Sequence, residues 1–207
     1  MTFNGGGKML VPAVVYKDEI KKRFIERMYS DDMFYYQGYP YGHETTEIEP
    51  QDNLYQWAIV GQITEVGNTI VPDVGNNGYK FIPHKYHYGQ KLIGYFSYRI
   101  NPTTDNVYNF GLYSFDKGNA LVAHDVFKKM EELIKEHHRV EWRCVGGNKA
   151  MDGYVKFCKR MLKKHSNLYV QRVRLTDVTK DNHGNYHDEH LFEIVNFKKT
   201  GGMNYEK

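Results

Sequence analysis

The chain has 207 residues, enough for one domain with a real buried core. Its 28 Lys and Arg nearly balance 25 Asp and Glu, and the net charge of +3 is well short of the basic excess typical of nucleic-acid grooves. No run approaches the roughly 20 apolar residues of a membrane span. The amino terminus has no secretory apolar core, and two cysteines are too few for a disulfide scaffold, so a cytoplasmic protein with free thiols and no membrane partner is expected.

After a glycine-rich start, Val11 to Tyr16 reads as a short strand. Asp18 can cap a helix over 19–29, with Ile20, Phe24, Ile25 and Met28 at helical spacing. The aromatic loop 33–42 follows, broken by Gly38, Pro40 and Gly42. Residues 54–62 read as a strand. Residues 63–90 hold prolines, glycines and a Gly75-Asn76-Asn77-Gly78 turn, and read as an irregular insertion with a small hairpin inside. The alternation in 91–115 predicts an antiparallel hairpin. The period then switches: Val126, Phe127, Met130, Leu133 and Ile134 define a helix over 119–138. A strand over 140–145 leads to a helix over 149–165, with Ala150, Tyr154, Phe157, Cys158, Met161 and Leu162 along one stripe. A closing hairpin and a polar, frayed tail over 200–207 complete a single domain.

Strand, helix, strand over 107–145 requires a crossover and hence a parallel pair inside an otherwise antiparallel order. The expected fold class is therefore α/β, an α+β mixed sheet with helices on its faces.

Two joints share one grammar of strand, flexible turn and long helix: Lys117-Gly118-Asn119-Ala120 and Gly146-Gly147-Asn148-Lys149-Ala150. A helix start offers unpaired N–H groups and partial positive charge, and a neighbouring glycine lets a phosphate approach the backbone. Both joints also read as ordinary caps and turns.

In the order and spacing of residues 91–197 the chain resembles the GNAT family of acyl-CoA-dependent N-acyltransferases. The family's cofactor loop, Gln/Arg-x-x-Gly-x-Gly/Ala, is matched in degraded form by Lys117-Gly118-Asn119-Ala120, with Lys for Arg and Val122 for the last small residue. The family's Asn-x-x-Ala-x-x-x-Tyr is matched by Ala150 and Tyr154, with the asparagine one place late at Asn148. The stretch before the final apolar run, with Asp188, resembles the closing strand.

The resemblance implies a mostly antiparallel sheet with one parallel, splayed strand pair and acetyl-CoA as co-substrate, with no metal. It implies that the backbone of Leu112, Tyr113 and Ser114 holds the pantetheine arm. Lys117, Gly118, Asn119 and Ala120 would take the pyrophosphate, and Asn148 would lie beside the cofactor. It implies that Tyr154 protonates the departing thiolate. Glu141 is the candidate base, with Tyr108, Asn109 and Ser114 as alternatives that order a water. Tyr35, Tyr36 and Tyr39, in the aromatic loop, shape an amine pocket, cover the core or form a homodimer interface; these stay open.

The alternative reading is a catalytically degenerate interaction module of the same fold without CoA. A basic face on the two long helices (Lys128, Lys129, Lys135, Lys159, Arg160, Lys163, Lys164) gives a weaker nucleic-acid reading, which the overall charge does not favour. His183, His187 and His190 would bind zinc only if they converged. Neither Cys144 nor Cys158 has a basic activating neighbour in sequence.

Overall fold

In the computed structural model the described residues are 10–30, 48, 51–73, 78–115, 120–181 and 183–199. Seven strands form one sheet: β1 (Leu10–Pro12), β2 (Leu54–Asp73), β3 (Gly78–Asn101), β4 (Asn106–Ser114), β5 (Arg139–Val145), β6 (Leu168–Lys180) and β7 (Tyr186–Asn196), in the order β1-β2-β3-β4-β5-β7-β6. All neighbours are antiparallel except β4 and β5, which are parallel. Among the described residues three α-helices cover the sheet: α1 (Lys17–Ser30), α2 (Ala120–Glu136) and α3 (Ala150–Lys164). Among the described residues no helix is long and apolar enough to cross a membrane.

Helical periodicity assigns the helices to faces. On α2, Val122, Val126, Met130, Leu133 and Ile134 are buried, and on α3 Tyr154, Phe157, Cys158 and Met161. Both stripes pack into one core with Phe96, Tyr98, Val140, Trp142, Phe192 and Ile194. On the opposite face Ile20 and Phe24 of α1 join Ala58, Leu92, Tyr95, Tyr113 and Phe115. Strand alternation sorts β5 in the same way, with Val140, Trp142 and Cys144 buried under the helices and Arg139, Glu141 and Arg143 on the other face.

Three local readings differ from the sequence expectation. The first strand stops at Pro12 and continues as a 3₁₀ turn over Ala13–Tyr16. Residues 63–90, read as an irregular insertion with a small hairpin inside, are strand over 63–73 and 78–90 and paired from Gln62↔Gln90 to Asp73↔Gly78. Ile25 and Leu162, placed on apolar stripes, are exposed at 55% and 46%, because each lies one position beyond the narrow buried stripe of its helix.

The β4–β5 ladder consists of Asn106↔Arg139 and Val107↔Val140, after which the strands diverge. A clamp holds the paired end. Asp105, in a left-handed conformation (φ 48°), accepts the His138 N–H on Oδ2 at 2.8 Å. Its other oxygen lies 2.7 Å from His137 Nδ1, and its carbonyl accepts the Arg139 N–H at 3.2 Å. Just past the pair, Asn109 is also left-handed (φ 54°), and the β3–β4 register shifts between Ser97 and Arg99. This bulge bends β4 away from β5.

Glu131 of α2 ties the helices together through Lys164 of α3 and Lys135. Hydrogen bonds from these two ammonium groups lower its pKa from 4.5 to about 2. Because the folded value is depressed, the stabilisation is full above pH 4.5 and is lost as pH falls towards 2. In urea denaturation, E131Q should therefore show a flatter loss of stability than wild type across that window. Replacing Asp105 with Ala strands the His138 amide and should cost about 1–3 kcal/mol in the same measurement.

Candidate active site

The divergence of β4 from β5 creates a wedge at the carboxyl ends of both strands, where α2 and α3 begin. Its narrow end is closed on the helix side by Phe110 of β4 and Trp142 of β5, edge to face at 6.4 Å. Trp142 is stacked on Phe192 at 5.4 Å and 4°. Its indole Nε1 is buried and finds no hydrogen-bond partner among the described residues. Sequence reasoning missed both this donor and the Asn109 bulge. The only signal was an asparagine, tolerant of positive φ, two places before Gly111.

Tyr154, on the second turn of α3, packs against Trp142 at 5.7 Å, Phe127 at 5.7 Å and Phe192 at 5.9 Å. Burial, with Cys144 nearby, pushes its pKa far above the ordinary phenol value. The phenol is protonated throughout the neutral range. Glu141 lies on the opposite face of the sheet, at the narrow end of the wedge, 2.9 Å from Arg139, which also pairs with Glu193 at 3.2 Å. Arg143 pairs with Glu189 at 3.3 Å on that same charged surface. The two predicted catalytic groups therefore flank β5 from opposite faces.

Leu112, Tyr113 and Ser114 lie on β4 beyond the end of the β4–β5 ladder, opposite Phe96, Tyr95 and Gly94 of β3. The Tyr113 ring points to α1, 4.9 Å from Phe24. Ala120 opens α2. Lys117, Gly118 and Asn119, and Tyr35, Tyr36 and Tyr39, lie outside the described residues.

The second joint has a structural explanation. Gly147 is left-handed (φ +82°) with open space around it, so conformation alone requires glycine there. A Cβ on Gly146 would sit 3.3 Å from the Asp188 carbonyl, to which Gly146 donates its N–H at 2.7 Å. The chain lying against this backbone is β7. Asn148 accepts the Ala150 N–H on Oδ1 at 2.9 Å and the Met151 N–H on its carbonyl at 3.0 Å, holding the first turn of α3.

The histidines do not gather. His187 Nε2 lies 2.9 Å from Asp181, which also accepts the His183 and Asn185 N–H groups in the β6–β7 turn, while His190 sits beside Arg172. Among the described residues no three metal-ligating side chains cluster. Burial pushes the Cys144 thiol up to about 11 and the Cys158 thiol up to about 12, so neither supplies a thiolate at neutral pH.

No family model and no curated protein matches the chain. Solved structures do. Spermidine N-acetyltransferase from Vibrio cholerae, in complex with CoA and spermine, aligns at 13% identity over 84% of this chain and 89% of that one, with a TM-score of 0.50. An N-acetyltransferase from Staphylococcus aureus Mu50 aligns at 14% identity over 56% and 67% of the two chains, with a TM-score of 0.38. A ribosomal-protein-alanine N-acetyltransferase from Brucella melitensis aligns at 14% identity over 51% and 62%, with a TM-score of 0.37. The mixed seven-stranded sheet with one splayed parallel pair is the GNAT fold.

Proposed function

We propose that this chain is an acyl-CoA-dependent N-acyltransferase that moves an acetyl group from acetyl-CoA to a primary amine by direct attack. The observation that carries this reading is the wedge between β4 and β5 in a GNAT fold, flanked by a protonated phenol on one face and a carboxylate on the other. The indole N–H of Trp142, without a partner among the described residues, fits a ligand rich in amide carbonyls, as a pantetheine arm is.

An acyl thioester supplies an activated carbonyl and a thiolate leaving group. In this assignment the β4 backbone at Leu112, Tyr113 and Ser114 holds the arm in the wedge. Lys117, Gly118, Asn119 and Ala120, at the head of α2, receive the pyrophosphate on N–H groups and partial positive charge. Asn148 acts indirectly, by fixing the first turn of α3 and with it Tyr154. The amine nitrogen bonds to the acyl carbon, the carbon–sulfur bond breaks, and the Tyr154 hydroxyl gives its proton to the sulfur. The amine proton passes to Glu141, directly or through a water, while Arg139 holds the carboxylate in position. Donor and acceptor approach from opposite faces of the sheet, so neither must leave for the other to bind. The places of Tyr35, Tyr36 and Tyr39 on the acceptor side rest on the sequence reading alone.

Calorimetric titration with acetyl-CoA should show saturable binding that G118W abolishes without changing the thermal unfolding midpoint. Absence of heat from wild type with acetyl-CoA and with longer acyl-CoAs would refute the assignment. With an amine acceptor in hand, Y154F should lower kcat by about 10²–10⁴ and leave KM for acetyl-CoA nearly unchanged. Wild-type turnover in Y154F would remove Tyr154 from the chemistry.

A further inference from the structure

Helix α3 carries the charge imbalance of the whole protein. Between Ala150 and Lys164, the cations Lys156, Lys159, Arg160, Lys163 and Lys164 stand against one carboxylate, Asp152, a net charge of +4. The whole chain is +3, so everything outside α3 sums to −1. Periodicity gathers these cations. Tyr154, Phe157, Cys158 and Met161 are buried against the sheet. At 3.6 residues per turn, Lys156, Lys159, Arg160 and Lys163 fall on the opposite side. Lys149, which precedes the helix with helical dihedrals (φ −58°, ψ −22°), falls with them. The five share an arc of about 100° and form a row about 21 Å long. All five are exposed. Among the described residues none of them pairs with a carboxylate, whereas Lys164, on the flank towards α2, is held by Glu131. Asp152 is the one acid on the arc, in the first turn, where it offsets the partial positive charge of the helix start.

The fold gains nothing from this arrangement. Lys156 with Lys159 and with Arg160, and Lys163 with the same two, are like charges at i, i+3 or i, i+4, spacings at which they destabilise a helix. An anionic partner relieves that repulsion. The composition of the arc selects the anion. Lysine is depleted at protein–protein interfaces, where arginine and aromatic side chains lead, and four of these five cations are lysine. A membrane surface needs apolar side chains beside the charge, and the arc has none. A single-stranded nucleic acid needs aromatic platforms for its bases, and the arc has none of these either. The phosphate backbone of a duplex remains, which lysine meets as a point charge. The major groove of B-form DNA, about 12 Å wide, admits a helix about 10–12 Å across, whereas the A-form groove is too narrow. No Asn or Gln on the arc can read base edges, and its one arginine, Arg160, lies over the Phe157 ring at 5.4 Å.

We infer that the outward stripe of α3 is a docking surface for double-stranded DNA, holding the phosphate backbone through Lys149, Lys156, Lys159, Arg160 and Lys163 without reading the sequence. The small net charge of the chain does not oppose this, because the charge is concentrated on one helix face.

Fluorescence anisotropy on the full chain, with a labelled DNA duplex of about 20 bp and mixed sequence, tests it. The logarithm of the binding constant should fall with the logarithm of salt at a slope of about −4.5, the value for five phosphate contacts. Raising salt from about 50 to 200 mM should then weaken binding about 500-fold. K156Q/K159Q/K163Q, which leaves the proposed acyl-transfer residues untouched, should flatten the slope to about −1.8 with an unchanged far-UV circular dichroism spectrum. The same charge removed elsewhere on the surface, in K22Q/K180Q/K198Q, should leave the slope as in wild type. Binding needs no acetyl-CoA, so its outcome is separate from that of the acyl-transfer assignment. No binding of the duplex at the lowest salt, a slope that K156Q/K159Q/K163Q leaves unchanged, tighter binding of an RNA duplex of the same length, or binding to phosphatidylserine vesicles alone would each overturn the inference.

Discussion

The arrangement depends on how two parallel strands are held together at one end only. Asp105 gathers the His138 and Arg139 amides and the His137 imidazole just where β4 and β5 pair. The ladder then ends after its second residue pair. With the near end fixed and the Asn109 bulge bending β4, the far ends of the strands separate. A sheet normally closes such a gap, because open strand edges leave backbone groups unpaired. Here β5 instead takes its full ladder from β7, from Arg139↔Val195 to Val145↔Glu189, so the sheet tolerates an incomplete seam beside it.

The two sides of that seam are chemically unlike. The helix side is an aromatic cluster of Phe110, Phe127, Trp142, Tyr154, Phe157 and Phe192. In this low-dielectric setting a phenol keeps its proton, and a polar donor without a partner is costly to bury. The far side carries the alternating residues of β5 and β7, where Arg139, Glu141, Arg143, Glu189 and Glu193 pair at the surface. Strand alternation alone generates the contrast. It lets one seven-residue strand present an apolar wall to α3 and a charged surface to whatever approaches from outside.

Much of this was legible in sequence because it rests on repeated pattern. The α2 stripe, the α3 stripe apart from Leu162, and the crossover that forces a parallel pair all rest on patterns of several residues, and each is found. What escaped rests on single residues or distant pairings. The left-handed turns at Asp105 and Asn109 each involve one φ angle, which no periodicity announces. Residues 63–90 read as irregular because their prolines and glycines are local breakers. Cross-strand pairing of β2 with the strand that follows it outweighs that signal. The glycines at 146 and 147 read either as room for a ligand or as an ordinary turn; one meets β7 and the other supplies the turn. The loop at 116–119 and the tyrosines of the aromatic loop lie outside the described residues.

The strand order also bears on the sequence of events during synthesis. β5 lies between β4 and β7, yet β7 begins about forty residues after β5 ends. The two-pair seam with β4 is too short to hold β5 alone, so Trp142 and Val140 wait for Phe192 and Ile194 to emerge. At about 5–20 residues per second, that wait lasts roughly 2–8 s. The amino-terminal half, β1 to β4 with α1, has its own core on its own face and can settle meanwhile. The seam that is left open in the finished protein is thus also the boundary between its early and late folding halves.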